Sequence, residues 1–310
     1  MTRKIVIIGM GNVGSAVAHQ MIVKGLGDDY VLIDKKKDKV EADALDFQDA
    51  LPNLDNHFNI KINDYSAIKD ADVVISTLGN IELEKNATND RFAEFAFTKK
   101  QAISVGKKLK ACGFHGILVN ISNPCDAVTS IYQQATNFPK EKVIGTGCLL
   151  DTSRMKKNVA NIFQVDPRSI SGYNLGEHGN SQFTAWSNIK VKGQPISSFV
   201  EQNNLNLDKI AKNIKVGGHK VLRGKGYTNY GIASAVYRLT RCILNDAHEE
   251  LPVSNFNSKY QTYLSYPAVV GRNGIVDNIH LTLTKKEKNK LNNSASVIKE
   301  KSKINIKSVL

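Results

Sequence analysis

Short, wholly apolar runs alternating with amphipathic stretches mark the first half of the chain. Ile5-Val6-Ile7-Ile8 has the unbroken hydrophobicity of a parallel strand buried on both faces. Tyr30-Val31-Leu32-Ile33, Val73-Val74-Ile75, Ile117-Leu118-Val119 and Val143-Ile144 repeat it. Between them, Ala16-Val17-Ala18 with Met21-Ile22, and then residues 38–51 and 92–110, read as helices. This alternation predicts a doubly wound parallel sheet of Rossmann type. It stops after about residue 145. A helix over 152–162 is followed by a strand over 186–191, a turn at Gly193-Gln194-Pro195, and helices over 207–216 and 229–250. The expected fold is therefore α/β, with a doubly wound domain over residues 1–145 and an α+β domain over 146–310. No Pro/Gly/Ser linker separates them, so the two should pack without a flexible tether.

The first turn carries chemistry. Gly9-Met10-Gly11-Asn12-Val13-Gly14 joins the first strand to the first helix. Gly9 permits the tight turn, Gly11 lets a pyrophosphate approach the backbone, and Gly14 lets helix and strand pack closely. The helix N-terminus supplies free N–H groups and a favourable dipole. Asp34 ends the second strand, 20 residues past Gly14. Its carboxylate can bind both ribose hydroxyls and would repel a 2′-phosphate, which favours NAD over NADP. Lys35-Lys36-Lys37 tempers that preference, although such a triplet is usually a solvated turn. Polar residues gather at the other strand ends, where open α/β sheets bind ligands. Thr77, Gly79, Asn80, Ile121, Ser122 and Asn123 join Gly9, Gly11, Asn12, Val13, Gly14 and Asp34 as cofactor-binding candidates.

A second constellation lies beyond the alternating half. Asp151 and Arg154 are spaced i, i+3, so a helix presents both on one face. His178 follows 24 residues after Arg154, in Gly176-Glu177-His178-Gly179-Asn180-Ser181. Each residue alone reads as an ion pair or a core histidine. Together they supply a proton donor, a carboxylate that holds it, and a planar cation for a substrate carboxylate. Reduction of a 2-oxo acid needs all three.

Composition narrows the field. The 310 residues are 41% hydrophobic and 23% charged, values ordinary for a globular protein. No apolar run approaches the roughly 18 residues of a membrane span. The first strand begins at once, so no signal peptide is expected. Cys112, Cys125, Cys148 and Cys242 show no metal-ligand spacing, so no metal is expected and a reducing, cytoplasmic setting is. The net charge of +13 comes mostly from lysine clusters at 35–39, 107–110 and 285–303. It could attract nucleic acid, but no nucleic-acid motif or interleaved aromatics accompany it. The last cluster, with Leu291, Val297 and Ile298 among Lys, Asn and Glu, reads as a lysine-clad surface helix. Neither nucleic acid nor membrane is an expected partner.

In these segments the chain resembles the lactate/malate dehydrogenase superfamily along essentially its whole length, and within it most resembles the L-2-hydroxyisocaproate dehydrogenases. The residues that carry the resemblance are Gly9–Gly14, Ser122–Asp126, Gly145-Thr146-Gly147 through Arg154, Asn174–Gln182 and Lys225-Gly226-Tyr227-Thr228. It implies that His178 is the acid/base, that Asp151 orients and charges it, and that Arg154 binds the substrate carboxylate. Arg91 matches a loop arginine that closes over the substrate and polarises its carbonyl. Asn123 matches an asparagine that bonds the substrate oxygen beside the nicotinamide; it is equally a turn residue before Pro124, where a cis bond would fit. Thr228 and Ile232 match pocket-wall positions, although a helix-start threonine and a core isoleucine fit as well. Closed homo-oligomers, dimers or tetramers, are implied too.

The loop from Gly79 to Arg91 departs from the lactate enzymes by its length. Where the family carries glutamine for lactate or arginine for malate, this chain offers Glu82 or Leu83. With no arginine there, a second substrate carboxylate has no evident partner and malate is disfavoured. The expected activity is an NAD-dependent L-2-hydroxyacid dehydrogenase for branched or longer 2-oxo acids. The alternatives are an L-lactate dehydrogenase and, from another class, a non-catalytic NAD(H)-binding protein.

Overall fold

The computed structural model describes residues 2–85 and 92–302. β1 (Lys4–Ile8), β2 (Asp29–Ile33), β3 (Asn59–Ile62), β4 (Val73–Ser76), β5 (Ile117–Asn120) and β6 (Val143–Gly145) lie parallel in the order β3-β2-β1-β4-β5-β6. The connecting helices are α1 (Asn12–Val23), α2 (Lys37–Ala50), the short α3 (Ile81–Lys85), α4 (Phe95–Ala111) and α5 (Cys125–Thr136). The run Ile5–Ile8 is buried on both faces, as its composition requires. Ile5 and Ile7 pack into one core cluster and Val6 and Ile8 into another, one on each side of the sheet. Strand order reverses between β1 and β4, and the crevice at their carboxyl ends is where such a sheet takes a ligand.

Beyond residue 145 come α6 (Leu149–Phe163), the paired short strands β7 (Asn174–Leu175) and β8 (Phe183–Thr184), and the pair β9 (Lys190–Val191) and β10 (Gln194–Pro195). The strand expected over 186–191 is thus mostly a 3₁₀ turn, Trp186–Asn188, with two residues of strand after it. α7 (Leu207–Lys225) runs past the expected end at 216 to a left-handed cap at Gly226. α8 (Tyr230–Leu244) ends before the expected 250, because Asp246 and His248 adopt left-handed backbone with φ of 51° each.

The segment after α8 does not read as strand in the sequence. It forms β11 (Glu249–Asn257), β12 (Thr262–Gly271) and β13 (Gly274–Asn278), an antiparallel extension of the main sheet joined through the Ser254–Gly145 pair. The resulting nine-stranded sheet runs across both halves of the chain. α8 packs beside α1 in the first core cluster, so Ile232, Val236 and Leu239 share a core with Val17 and Met21. α9 (Lys285–Lys301) buries Leu291, Ala295 and Ile298 and turns its lysines outward. Among the described residues no helix is long and apolar enough to cross a membrane.

Candidate active site

The carboxyl ends of β1, β4 and β5 open onto a cavity of about 850 Å³. Gly9 takes φ of 100°, and a Cβ on Gly14 would lie 1.9 Å from the Gly9 carbonyl oxygen. No other residue type fits at Gly14 without moving the turn. A Cβ on Gly11 would meet nothing within 4 Å, so the cradle is open there. α1 begins with no carboxylate in its first turn and no side-chain cap. Its first N–H groups are therefore left for an anion, in a favourable dipole. Asp34 accepts the Met10 N–H through Oδ2 at 2.7 Å and the Lys36 N–H through Oδ1 at 2.8 Å. Each oxygen keeps a lone pair for a ribose hydroxyl.

These residues fit NAD. Gly9, Gly11, Asn12, Val13, Asp34, Thr77, Gly79, Asn80, Ile121, Ser122 and Asn123 all line the cavity, and Gly14 supports the turn from behind. Lys35, Lys36 and Lys39 line it beside Asp34, with Lys39 also paired to Asp43.

A smaller cavity of about 120 Å³ opens off the same crevice, sharing Val13, Ile81, Ile121, Asn123 and Thr228 with the larger one. It brings together Asn123, Arg154, His178, Thr228 and Ile232. Asp151 sits in the first turn of α6, buried, with Arg154 one turn later. Asp151 Oδ2 lies 2.6 Å from His178 Nδ1, and Oδ1 accepts from Arg154 Nη1 at 2.9 Å. An ionised carboxylate only accepts, so Nδ1 carries the hydrogen and Nε2 is left for chemistry. One carboxylate thus orients both the imidazole and the guanidinium. The Asn123–Pro124 bond is cis.

The loop that presents His178 is held by groups that show no role in the sequence. Asp126, on α5, accepts the His178 main-chain N–H at 2.8 Å and the Ser265 hydroxyl at 3.4 Å. It is buried, and that burial pushes its carboxyl up to about 6. Glu177, also buried, accepts from the Ser181 N–H at 3.0 Å and from the Ser181 hydroxyl. Ser294 on α9 donates to the Ser181 carbonyl at 2.8 Å. In sequence, Asp126 reads as an ordinary acidic residue in a helix first turn, which hides its contact with His178.

Arg91 lies outside the described residues. Of the two lid candidates, Glu82 and Leu83 are both exposed and line neither cavity; Ile81 lines both. Gly218, His219 and Leu222 on α7, Leu150 on α6 and Thr146 complete the smaller cavity. No signal in the sequence pattern points to this α7 wall.

Fold and site together define a dinucleotide-dependent dehydrogenase. The family model described as lactate/malate dehydrogenase, NAD binding domain, matches residues 3–145, and that described as lactate/malate dehydrogenase, alpha/beta C-terminal domain, matches residues 148–308. The chain belongs to the lactate/malate dehydrogenase family, and it is an NAD-dependent oxidoreductase acting on small 2-hydroxy and 2-oxo acids. It is 34% identical over 306 residues to L-lactate dehydrogenase 1 of Bifidobacterium longum, with 96% of each chain covered. The minor L-lactate dehydrogenase from Enterococcus mundtii, in its ligands-bound form, superposes with a TM-score of 0.91 at 34% identity, covering 97% of this chain and 98% of that one. The lactate dehydrogenase from Cryptosporidium parvum, complexed with lactic acid and nicotinamide adenine dinucleotide, also gives 0.91, at 27% identity over 98% of both chains.

Proposed function

We propose that the chain interconverts 2-oxo acids bearing a side chain larger than methyl with L-2-hydroxy acids, as the L-2-hydroxyisocaproate dehydrogenases do. In the reductive direction, bound NADH supplies hydride to the carbonyl carbon. His178 Nε2 gives a proton to the carbonyl oxygen, which completes the hydroxyl. Asp151 stabilises the imidazolium before transfer and keeps the ring aimed. Arg154 grips the substrate carboxylate with the guanidinium hydrogens not given to Asp151. Asn123 donates to the substrate oxygen, Arg91 polarises the carbonyl, and Thr228 and Ile232 wall the pocket. Assembly as a homodimer or homotetramer belongs to the same reading.

The observation that carries the side-chain preference is the wall of the smaller cavity. Ile81, Leu150, Leu222 and Ile232 are apolar, and Gly218 leaves room where a Cβ would come within 3.3 Å of Arg154 Nη1. Three added carbons buried there are worth about 2 kcal/mol, or about 30-fold in kcat/KM. Among the described lining residues Arg154 is the sole guanidinium, and the α-carboxylate takes it, which leaves oxaloacetate poorly served. The rival reading, an L-lactate dehydrogenase, is favoured by the names of the relatives. Measuring kcat/KM for 2-oxoisocaproate, pyruvate and oxaloacetate with NADH separates them. A lead for 2-oxoisocaproate supports the proposal, and a lead for pyruvate replaces it with the lactate reading.

A further inference from the structure

His219 follows Gly218 on α7 and lines the smaller cavity. Its Nδ1 lies 3.4 Å from the Lys215 carbonyl oxygen, which only accepts, so in the neutral ring Nδ1 carries the hydrogen. Nε2 has no partner among the described residues. Once a substrate carboxylate sits on Arg154 and its carbonyl faces His178, the rest of the substrate must point away from both. Among the described residues the remaining lining includes the apolar Ile81, Leu150, Leu222 and Ile232, the hydroxyls of Thr146 and Thr228, and the one further ionisable group, the His219 imidazole. A purely apolar pocket would have no use for it.

We propose that His219 is a specificity-determining residue that reads the far end of the substrate side chain. A neutral ring favours uncharged side chains, and a protonated ring admits a second, distal carboxylate. The inference rests on the 2-oxo acid chemistry proposed above and deepens it. Imidazole is the side chain whose charge changes between about pH 5 and 8. Arg154 on α6 and His178 on its loop line the same cavity as the ring, and both bond Asp151. Lys215, Lys220 and Arg223 flank it on α7, Glu82 follows Ile81 on α3, and α8 presents the uncharged Ile232. Among the described residues that line the cavity none is a carboxylate. A distal carboxylate arriving with the substrate adds the opposite charge and favours uptake of a solvent proton at Nε2. The contact formed is a charge-assisted N–H···O bond, with no covalent change. Among the described lining residues a second carboxylate therefore meets a further cation only in acid, and α7 supplies it.

The test measures kcat/KM with NADH for 2-oxoglutarate and for 2-oxoisocaproate, in wild type, His219→Phe and His219→Gln. His178 has the same role toward both acids, so its contribution cancels in their ratio. In wild type the ratio of dicarboxylic to monocarboxylic acid rises about tenfold from about pH 8.5 to about pH 5.5. In both variants it changes by less than about twofold. A flat wild-type ratio, or an equal rise in the variants, overturns the role of His219 while leaving 2-oxo acid reduction intact. If wild type reduces neither acid, the proposed function falls and this inference with it.

Discussion

The main-chain N–H of His178 donates to the buried Asp126 carboxylate at 2.8 Å, so a residue of the nucleotide-binding half fixes the backbone that carries the imidazole. Burial raises the Asp126 carboxyl to about 6, above the free value of about 3.9. An acid whose pKa rises on folding favours the folded state while protonated. Its contribution is complete below about pH 4 and is lost as the pH climbs through about 6. Asp126→Asn removes that dependence. The difference in urea midpoint between Asp126→Asn and wild type should therefore move in favour of the variant from about pH 4 to about pH 7. A difference independent of pH would show that Asp126 does not titrate in that window.

Asp34 bonds the Met10 and Lys36 amides and lines the cofactor cavity beside Lys35, Lys36 and Lys39. Asp34→Ser removes the charge that repels a 2′-phosphate and leaves the lysines in place. The NAD-to-NADP preference, as a ratio of kcat/KM values, should fall by about tenfold or more. An unchanged ratio would mean that another wall of the cavity sets the preference.

Gly217 and Gly218 are neighbours on α7 with opposite surroundings. A Cβ at Gly217 meets nothing within 4 Å, whereas one at Gly218 comes within 3.3 Å of Arg154 Nη1. Replacing a helix-interior glycine by alanine stabilises by up to about 1 kcal/mol. Gly217→Ala should raise Tm with KM for the 2-oxo acid unchanged. Gly218→Ala should gain less Tm and raise KM several-fold, because the guanidinium must shift from its place on Asp151. Equal KM values for the two variants would remove the close approach of α7 to Arg154 from the account.

The nucleotide half was legible because its signals are local. A buried strand, a glycine turn and Asp34 stand within one stretch of sequence, and their spacing alone prescribes the geometry. Asp151, Arg154 and His178 were legible as residue types suited to one reaction, and they converge on one carboxylate. β11 and β12 were not legible. Pro252 and Pro267 interrupt them, and proline argues against an interior strand. The two prolines sit opposite one another in the ladder, where a non-hydrogen-bonded pair needs no N–H between them. Apolar residues at helical spacing carried the reading of α8 on to 250, and only the left-handed turn at Asp246 and His248 stops it. Asp126 and His219 look unremarkable in sequence, because their roles depend on loops and helices that only the tertiary fold brings together.

On the proposed mechanism His178, aimed by Asp151, moves the proton in 2-oxo acid reduction. The most direct test is the turnover of His178→Ala with saturating NADH and 2-oxoisocaproate, alongside NADH binding followed by fluorescence. Turnover should fall by about 10²–10⁴-fold while NADH affinity stays within about threefold of wild type. Turnover within about threefold of wild type would contradict the account and remove His178 from the mechanism.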